Sequence, residues 1–384
     1  MEKDKINFTK KKRNRQGNNN ENPPHFTFCQ NLALDSFMDL GTDNTFVVFN
    51  SLDNIFYLIY SNQNKSIISY DIVNNKKKIK IKNAHKQYIT GFEHHLDIQN
   101  NKKRDLILSM SAKENNIKIW IASNFECILE LKRNNKNKLL NLACFLSFNN
   151  KTYIVRSGNS TEPIKVYDLN NNNDPNLPIK EIQNINNSEY NTHFLYVHYK
   201  NLNNKDNNNN YKSINKNDIK NDKKNKNGKD DNNNININEI YILAINDKII
   251  RSYDYNSNSL YNTYYSKSKQ RINNISFNGD NLIGLCYGGI IQIWNFSNPE
   301  LTNEINICKS PLFGICLWDE DYLCFGHLKN IKIINLDNKK VFSLDSSHNK
   351  DVICIKKINH PIFGECLISQ GDQNGAIKLW IKQN

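Results

Sequence analysis

Apolar and polar positions alternate along most of the chain in short runs with a period of two, the pattern of half-buried β-strands rather than helices. One run recurs, alternating aliphatic residues closed by an aromatic and a polar residue, with Ile334 in the aromatic position of one copy and Ile121 and Ile381 in the polar position of two others. It reads SIISYDI at Tyr70, NIKIWIA at Trp120, PIKVYDL at Tyr167, KIIRSYDY at Tyr253, IIQIWNF at Trp294, NIKIINL at Ile334 and AIKLWIK at Trp380. The spacings between these anchors are 50, 47, 86, 41, 40 and 46 residues. The outlier falls to about 50 when an Asn/Lys/Asp tract at 201–236 is set aside, so that tract is an insertion inside one repeat. A second strand precedes each anchor across a short polar or glycine turn, as in IFYLIY, DLILSMS and NLIGLCY. Further upstream lies a third strand, such as TFVVFN, NNISFNG or VICIKKI, and a more polar fourth follows the anchor, as in KKIKIK and CILELK. Four strands repeated seven times predict an all-β, seven-bladed β-propeller of four-stranded antiparallel blades. Alternate aliphatic and aromatic side chains are expected in the gaps between blades, with the intervening Lys, Gln, Ser and Asn on the other sheet face or near edges.

The chain stops at Asn384, directly after the third strand of the seventh repeat. That blade lacks an outer strand, and an open edge invites aggregation. The segment His25–Leu34, HFTFCQNLAL, is expected to return and close it as an N-terminal strand. Three regions follow: a basic tail at 1–22, the propeller at 23–384, and the insertion at 201–236 within the fourth blade, placed between its first and second strands. The tail and the insertion are nearly bare of core-forming residues, Asn filling 16 of the 36 insertion positions, and both read as disordered.

The repeats resemble the WD40 family over Thr45–Asn384. The Trp-Asp dipeptide is degraded: Asp follows the aromatic at 71, 168 and 254, Asn295 and Asn335 are near substitutes, and Ile121 and Ile381 depart from the pattern. In that family a histidine that opens the repeat bonds with an Asp, a Ser or Thr and the Trp to lock the blade. The seventh copy carries His348, Ser369, Asp372 and Trp380 in that order, and the second carries His85, Ser109 and Trp120 with Glu114 in place of the Asp. The remaining copies must rely on packing. The resemblance further implies a binding mouth formed by the loops that join second to third strands and one blade to the next. Tyr88, Arg271, Tyr287, Phe313 and Asp351 map at or near its rim as candidate partner-binding residues, and the competing reading packs the three aromatics into the inter-blade core.

The net charge of +13 invites a phosphate-binding interpretation, but the tail contributes +4 and the insertion +3, together more than half. An abundance of Asn, Lys and Ile is also what an AT-rich coding sequence produces, and this discounts an argument from charge alone. The tail cluster Lys10, Lys11, Lys12, Arg13 and Arg15 has only Phe8 nearby, too little for a stacking platform. Nine cysteines without a CxxC pair sit mostly in apolar strands, the pattern of buried reduced thiols in an intracellular, cytoplasmic or nuclear, protein. The N-terminus has no signal-peptide core, and the longest uncharged run, Asn281–Phe296, is broken by Gly284, Gly288 and Gly289 and reads as a hairpin rather than a membrane span.

Chemistry-bearing motifs are sparse. No phosphate loop, HExxH or nucleophile elbow is present. His94 and His95 with Asp97 suggest metal ligation, but neighbouring strand residues point to opposite faces, and the same holds for His193 and His198 if both lie in one strand. We therefore expect no catalytic residue, cofactor or metal. The favoured function is a non-catalytic protein- or peptide-binding scaffold, monomeric within a larger complex and without a membrane role. The alternative is a nucleic-acid-associated propeller, which gains if the positive charge of the body gathers on one face with exposed aromatics.

Overall fold

In the computed structural model the described residues are 23–34, 36, 44–99, 102–111, 114, 116–132, 142–157, 162–171, 174, 176–183, 192–201, 237–344, 347–372 and 375–383. β1 is His25–Ala33. Blade one comprises β2 Phe46–Asn50, β3 Phe56–Ser61, β4 Ile67–Asp71 and β5 Lys76–Ile81. Blade two has β6 Gly91–Gln99, β7 Lys102–Ser111, β8 Asn116–Ile121 and β9 Cys127–Lys132. Blade three has β10 Ala143–Phe148, β11 Lys151–Arg156, β12 Ile164–Asp168 and β13 Lys180–Ile182. Blade four has β14 Phe194–Asn201, β15 Ile237–Asn246, β16 Ile249–Asp254 and β17 Ser259–Tyr265. Blade five has β18 Ile272–Asn278, β19 Asn281–Cys286, β20 Ile290–Asn295 and β21 Leu301–Asn306. Blade six has β22 Leu312–Leu317, β23 Tyr322–His327, β24 Asn330–Asn335 and β25 Val341–Leu344. Blade seven is β26 Val352–His360, β27 Gly364–Gly371 and β28 Ile377–Gln383, with β1 as its fourth strand.

All seven sheets are antiparallel and four-stranded, and they form a ring, a seven-bladed β-propeller. Every anchor run named above is the third strand of its blade. The first strands of successive blades pack against one another, as β2 does with β6 and β22 with β26, and so stand innermost. β1 pairs with β28 from His25↔Gln383 to Ala33↔Ile377 and closes the ring. A register shift falls immediately before the anchor aromatic in blades one, two, four and five, at Tyr70, Trp120, Tyr253 and Trp294. This recurring bulge marks the repeat in the backbone itself.

The core is divided into seven clusters, one for each seam between adjacent blades. Phe49, Tyr57 and Ile59 of blade one meet Phe92, Ile107 and Trp120 of blade two in one of them. Phe26 of β1 reaches the seam between blades six and seven, where its ring meets Trp318 edge-on at 4.7 Å. Every blade is covered on both sides, so several of the polar residues between the aliphatic ones do not reach solvent, although Lys118, Lys165, Lys332 and Lys378 of the third strands are only half-buried. Ser69, Ser252 and Gln292 are fully buried, which departs from the expected polar face. Buried polar groups must be paired, and these are: Ile79 N donates to Ser69 Oγ at 3.0 Å, Asn262 N to Ser252 Oγ at 3.2 Å, and Gln292 Nε2 to Glu304 Oε2 at 2.6 Å.

Candidate functional site

Antiparallel order puts the second-to-third turns and the blade-to-blade loops at one end of the ring, here the upper mouth, and the other turns at the lower. Backbone hydrogen bonds tie the two kinds of upper connection together. Ile272 N donates to Asp247 O (2.7 Å), Tyr287 N to Arg271 O (2.7 Å), His348 N to Lys329 O (2.9 Å) and Asp372 N to Asp351 O (2.7 Å). The upper rim is thus held by its backbone.

Behind the rim, two blades carry a side-chain relay. In blade seven Trp380 Nε1 donates to Ser369 Oγ at 2.7 Å, and Ser369 Oγ lies 2.7 Å from His348 Nε2. In blade two Trp120 Nε1 donates to Ser109 Oγ at 2.8 Å, which lies 2.8 Å from His85 Nε2, and His85 Nδ1 stands 3.3 Å from Glu114. Each serine accepts from the indole, and burial favours the neutral form of the histidine beside it. Burial, with a smaller push from Lys378, lowers the His348 pKa to about 3. Burial alone would raise Glu114, but hydrogen bonds from His85 and the Lys86 amide outweigh it and bring the carboxyl down to about 2. Asp372 lies in the turn after β27, joined to Asp351 through its amide.

The cross-strand partner two residues past the anchor pairing shows why only two blades have the relay. That position holds Tyr60, Ser109, Arg156, Ala244, Gly284, Phe325 and Ser369 in blade order. Only at Ser109 and Ser369 does a short hydroxyl stand between a tryptophan anchor and a histidine. At Gly284 a Cβ would come within 2.8 Å of the Trp294 ring, so the absent side chain is what lets that indole pack.

His94 and His95 diverge. His94 stacks on Phe49 of blade one at 3.7 Å and contacts Asp105 at 2.8 Å, whereas His95 stacks on Phe145 of blade three and lies 3.0 Å from Thr152. Asp97 accepts from Arg104 and from Thr152, each at 2.6 Å. These side chains stitch three blades together. Among the described residues no cluster of three or more His, Cys, Asp or Glu is placed to hold a metal ion. His193 stands just ahead of β14 rather than within it, with Nε2 2.6 Å from Ile272 O while Nδ1 accepts from Asp247 N at 3.2 Å. Burial, then the nearby Arg271, depress its pKa to about 4. All nine cysteines are free thiols. The tail and the insertion lie outside the described residues.

Of the five rim candidates, Arg271 is exposed and Tyr287 is 50% exposed beside it, so Tyr287 is no core residue. Tyr88 is half-buried, with Lys65 Nζ 5.9 Å from its ring centre. Phe313 is half-buried at the bulge that opens β22, and Asp351 is half-buried just before β26. Arg271 and Tyr287 are adjacent; the others are distributed around the mouth.

Whether the positive charge of the body gathers on one face, left open by the sequence, is answered by the charges at the two mouths of blades four to seven. In blades four to seven the upper connections carry Lys248, Lys267, Lys269, Arg271, Lys309, Lys329 and Lys350, all exposed. The acids described there are Asp247, Asp351 and Asp372, each half-buried. The lower turns of the same blades carry Asp280, Glu300, Asp319, Glu320, Asp321 and Asp337, with Lys339 and Lys340 as the described cations. The signal was legible as an alternation of charge from turn to turn, but a count over the whole chain conceals it. A feature missed is Ser310, whose Oγ lies 2.7 Å from His327 Nε2 and links the loop between blades five and six to the end of β23.

Comparison with known proteins supports the architecture. No family model matches the sequence, and no curated protein matches it. Solved structures do match. A crystal structure of BBS1N in complex with ARL6DN, soaked with lead, aligns with TM-score 0.63 and 8% identity over 94% of this chain and 97% of that one. Raptor from Chaetomium thermophilum aligns with TM-score 0.62 and 12% identity over 94% of this chain, which spans only 29% of the Raptor chain. At such identities the likeness is one of fold.

Proposed function

We propose that this chain is a non-catalytic interaction scaffold, a propeller subunit of an intracellular protein complex. The observation that carries the reading is the upper rim, where backbone hydrogen bonds fix the loops while Arg271 and Tyr287 stand exposed and uninvolved in blade packing. Preorganised loops bearing arginine and aromatic side chains are the usual make-up of a binding hot spot. The likeness to BBS1N, solved as a complex with ARL6DN, agrees with a docking role for this fold. The test is recovery of partners on the tagged full chain from nuclease-treated native extract. Arg271→Glu with Asp351→Lys is expected to lower recovery of a stoichiometric partner with a shift in Tm of no more than a few degrees. Unchanged recovery at unchanged stability moves the protein-binding surface off this rim.

A further inference from the structure

We infer that the upper arc of blades four to seven binds single-stranded nucleic acid. The inference adds a ligand class to the upper mouth and rests on the reading of that mouth as a docking surface. Seven exposed cations lie along the arc, and the acids of the same blades are concentrated at the other end. Segregation of this kind produces a one-signed potential at one mouth, whereas scattered charges of the same total cancel locally. The cations are also available. Lys248 lies 4.0 Å from Asp247, and among the described residues no ion pair or hydrogen bond occupies the charged groups of the other six.

Two exposed aromatics are interleaved with them. Tyr265 is 64% exposed at the end of β17, beside Lys248, whose carbonyl accepts from Ser266 N at 2.9 Å. Tyr287 is 50% exposed and tied through its amide to Arg271. A basic track with aromatic rings at intervals is how proteins hold single strands, phosphates on the cations and bases on the rings. An acidic polypeptide would satisfy the cations and leave both rings unused. A duplex is matched by a helix or long ribbon that enters the major groove, and this arc presents short turns.

The test is fluorescence anisotropy of the purified full-length protein with a U20 RNA and a dT20 DNA across a salt series. Each neutralised phosphate contributes ~0.7 to the slope of log K against log salt on a single strand, so seven cations predict a slope no steeper than about −5. Replacing Lys267, Lys269 and Arg271 together by Gln should flatten the slope by about 2. Tyr265→Leu with Tyr287→Leu should leave the slope unchanged and weaken binding by roughly tenfold or more. Lys339→Gln with Lys340→Gln, at the lower mouth, should alter neither. Equal affinity for both strands supports the proposal through the shared phosphodiester and bases, and preference for RNA supports it with the 2′-hydroxyl as an added contact. The proposal is overturned if neither strand binds at low salt, or if the triple variant binds as tightly as the parent, which would assign binding to the tail or insertion. It is also overturned if polyglutamate competes as well as the strands and the tyrosine variant binds normally, which would make the ligand an acidic polypeptide. No protein partner enters this assay, so its failure leaves the nuclease-treated recovery experiment to decide the scaffold reading by itself.

Discussion

At the residue scale, the relay in blade seven joins a hydrogen-bond chain to a large packed ring, and the two contribute unequally. A single buried hydrogen bond is worth about 1 kcal/mol net, whereas truncating a buried tryptophan costs roughly 3–5 kcal/mol through lost contacts and a cavity. Trp380→Ala should therefore destabilise roughly three- to fivefold more than His348→Ala in urea unfolding, with Ser369→Ala, which breaks two hydrogen bonds, in between; equal losses for Trp380→Ala and His348→Ala would mean that the polar chain, not the ring, holds the seam. The same residues predict a pH response. His348 and His193 are held neutral in the fold, near 3 and 4 against about 6.5 when unfolded. Below pH ~6.5 the unfolded chain binds protons that the folded chain refuses, so stability is full at neutral pH and falls on acidification, by up to about 1.4 kcal/mol per pH unit for each histidine. Glu114, with its depressed pKa, acts in the same direction only below the ordinary carboxylate range, whereas Glu93, which burial raises to about 8, acts in the opposite direction between about pH 8 and 5, so the histidine contribution is read from the difference between the parent and a histidine variant. Denaturant midpoints at pH 7.5, 6 and 5 should fall more steeply on acidification in the parent than in His348→Gln; parallel profiles for the two would count against a buried neutral imidazole at 348.

At the element scale, the period of the anchor runs carried the fold, and it did so even where the aromatic was lost. Ile334 replaces the anchor ring in β24 and still pairs with Leu323, because spacing and alternation set the strand while the ring only fills the seam. Less was legible where two-sided burial overrode the expected polar face, as at Ser69 and Gln292, and where charged residues extended strands. β7 begins at Lys102, ahead of its apolar run, because Arg104 finds Asp97 across the hairpin. The blades without a relay were legible from the missing histidine, but what fills the serine position was not, since Tyr60, Arg156, Ala244, Gly284 and Phe325 share no chemistry that a repeat search would align. The closing strand was legible from an unpaired edge and a distant amphipathic segment. It yields a prediction in turn, because Phe26, Leu32 and Ala33 of β1 are buried. Burying Phe and Leu contributes ~2–3 kcal/mol each, before any loss from the exposed edge of β28. Deleting 1–22 should leave a folded protein of near-parent Tm, while deleting through Leu34 should cost several kcal/mol and solubility. Matching melting temperatures for the two truncations would show that β1 is dispensable.

At the scale of the whole molecule, a closed ring with an apolar cluster in every seam makes blades interdependent, and the described turns of blades four to seven differ in charge sign between its two mouths. Such a ring tolerates additions wherever a turn leaves it, and the insertion is the largest case. β14 and β15 are paired from Phe194↔Ile245 down to Asn201↔Ile237, so the two ends from which residues 202–236 depart already lie side by side at the lower mouth. Nothing in the pairing needs a loop of that length. The entropy of closing a flexible loop rises as (3/2)RT ln n, so exchanging 35 residues for a four-residue Asn-Gly-type turn should relieve up to about 2 kcal/mol. The shortened protein is therefore expected to be as stable as the parent or more stable by up to about 2 kcal/mol, with the denaturant midpoint raised and the slope of the transition little changed. Its upper mouth should be unaltered, so U20 affinity should fall by no more than the modest share that eight distant lysines lend to the general field. A loss of stability beyond 1 kcal/mol, on the order of one buried hydrogen bond, would show instead that the insertion packs on the propeller, and the insertion would then have to be counted as part of the fold.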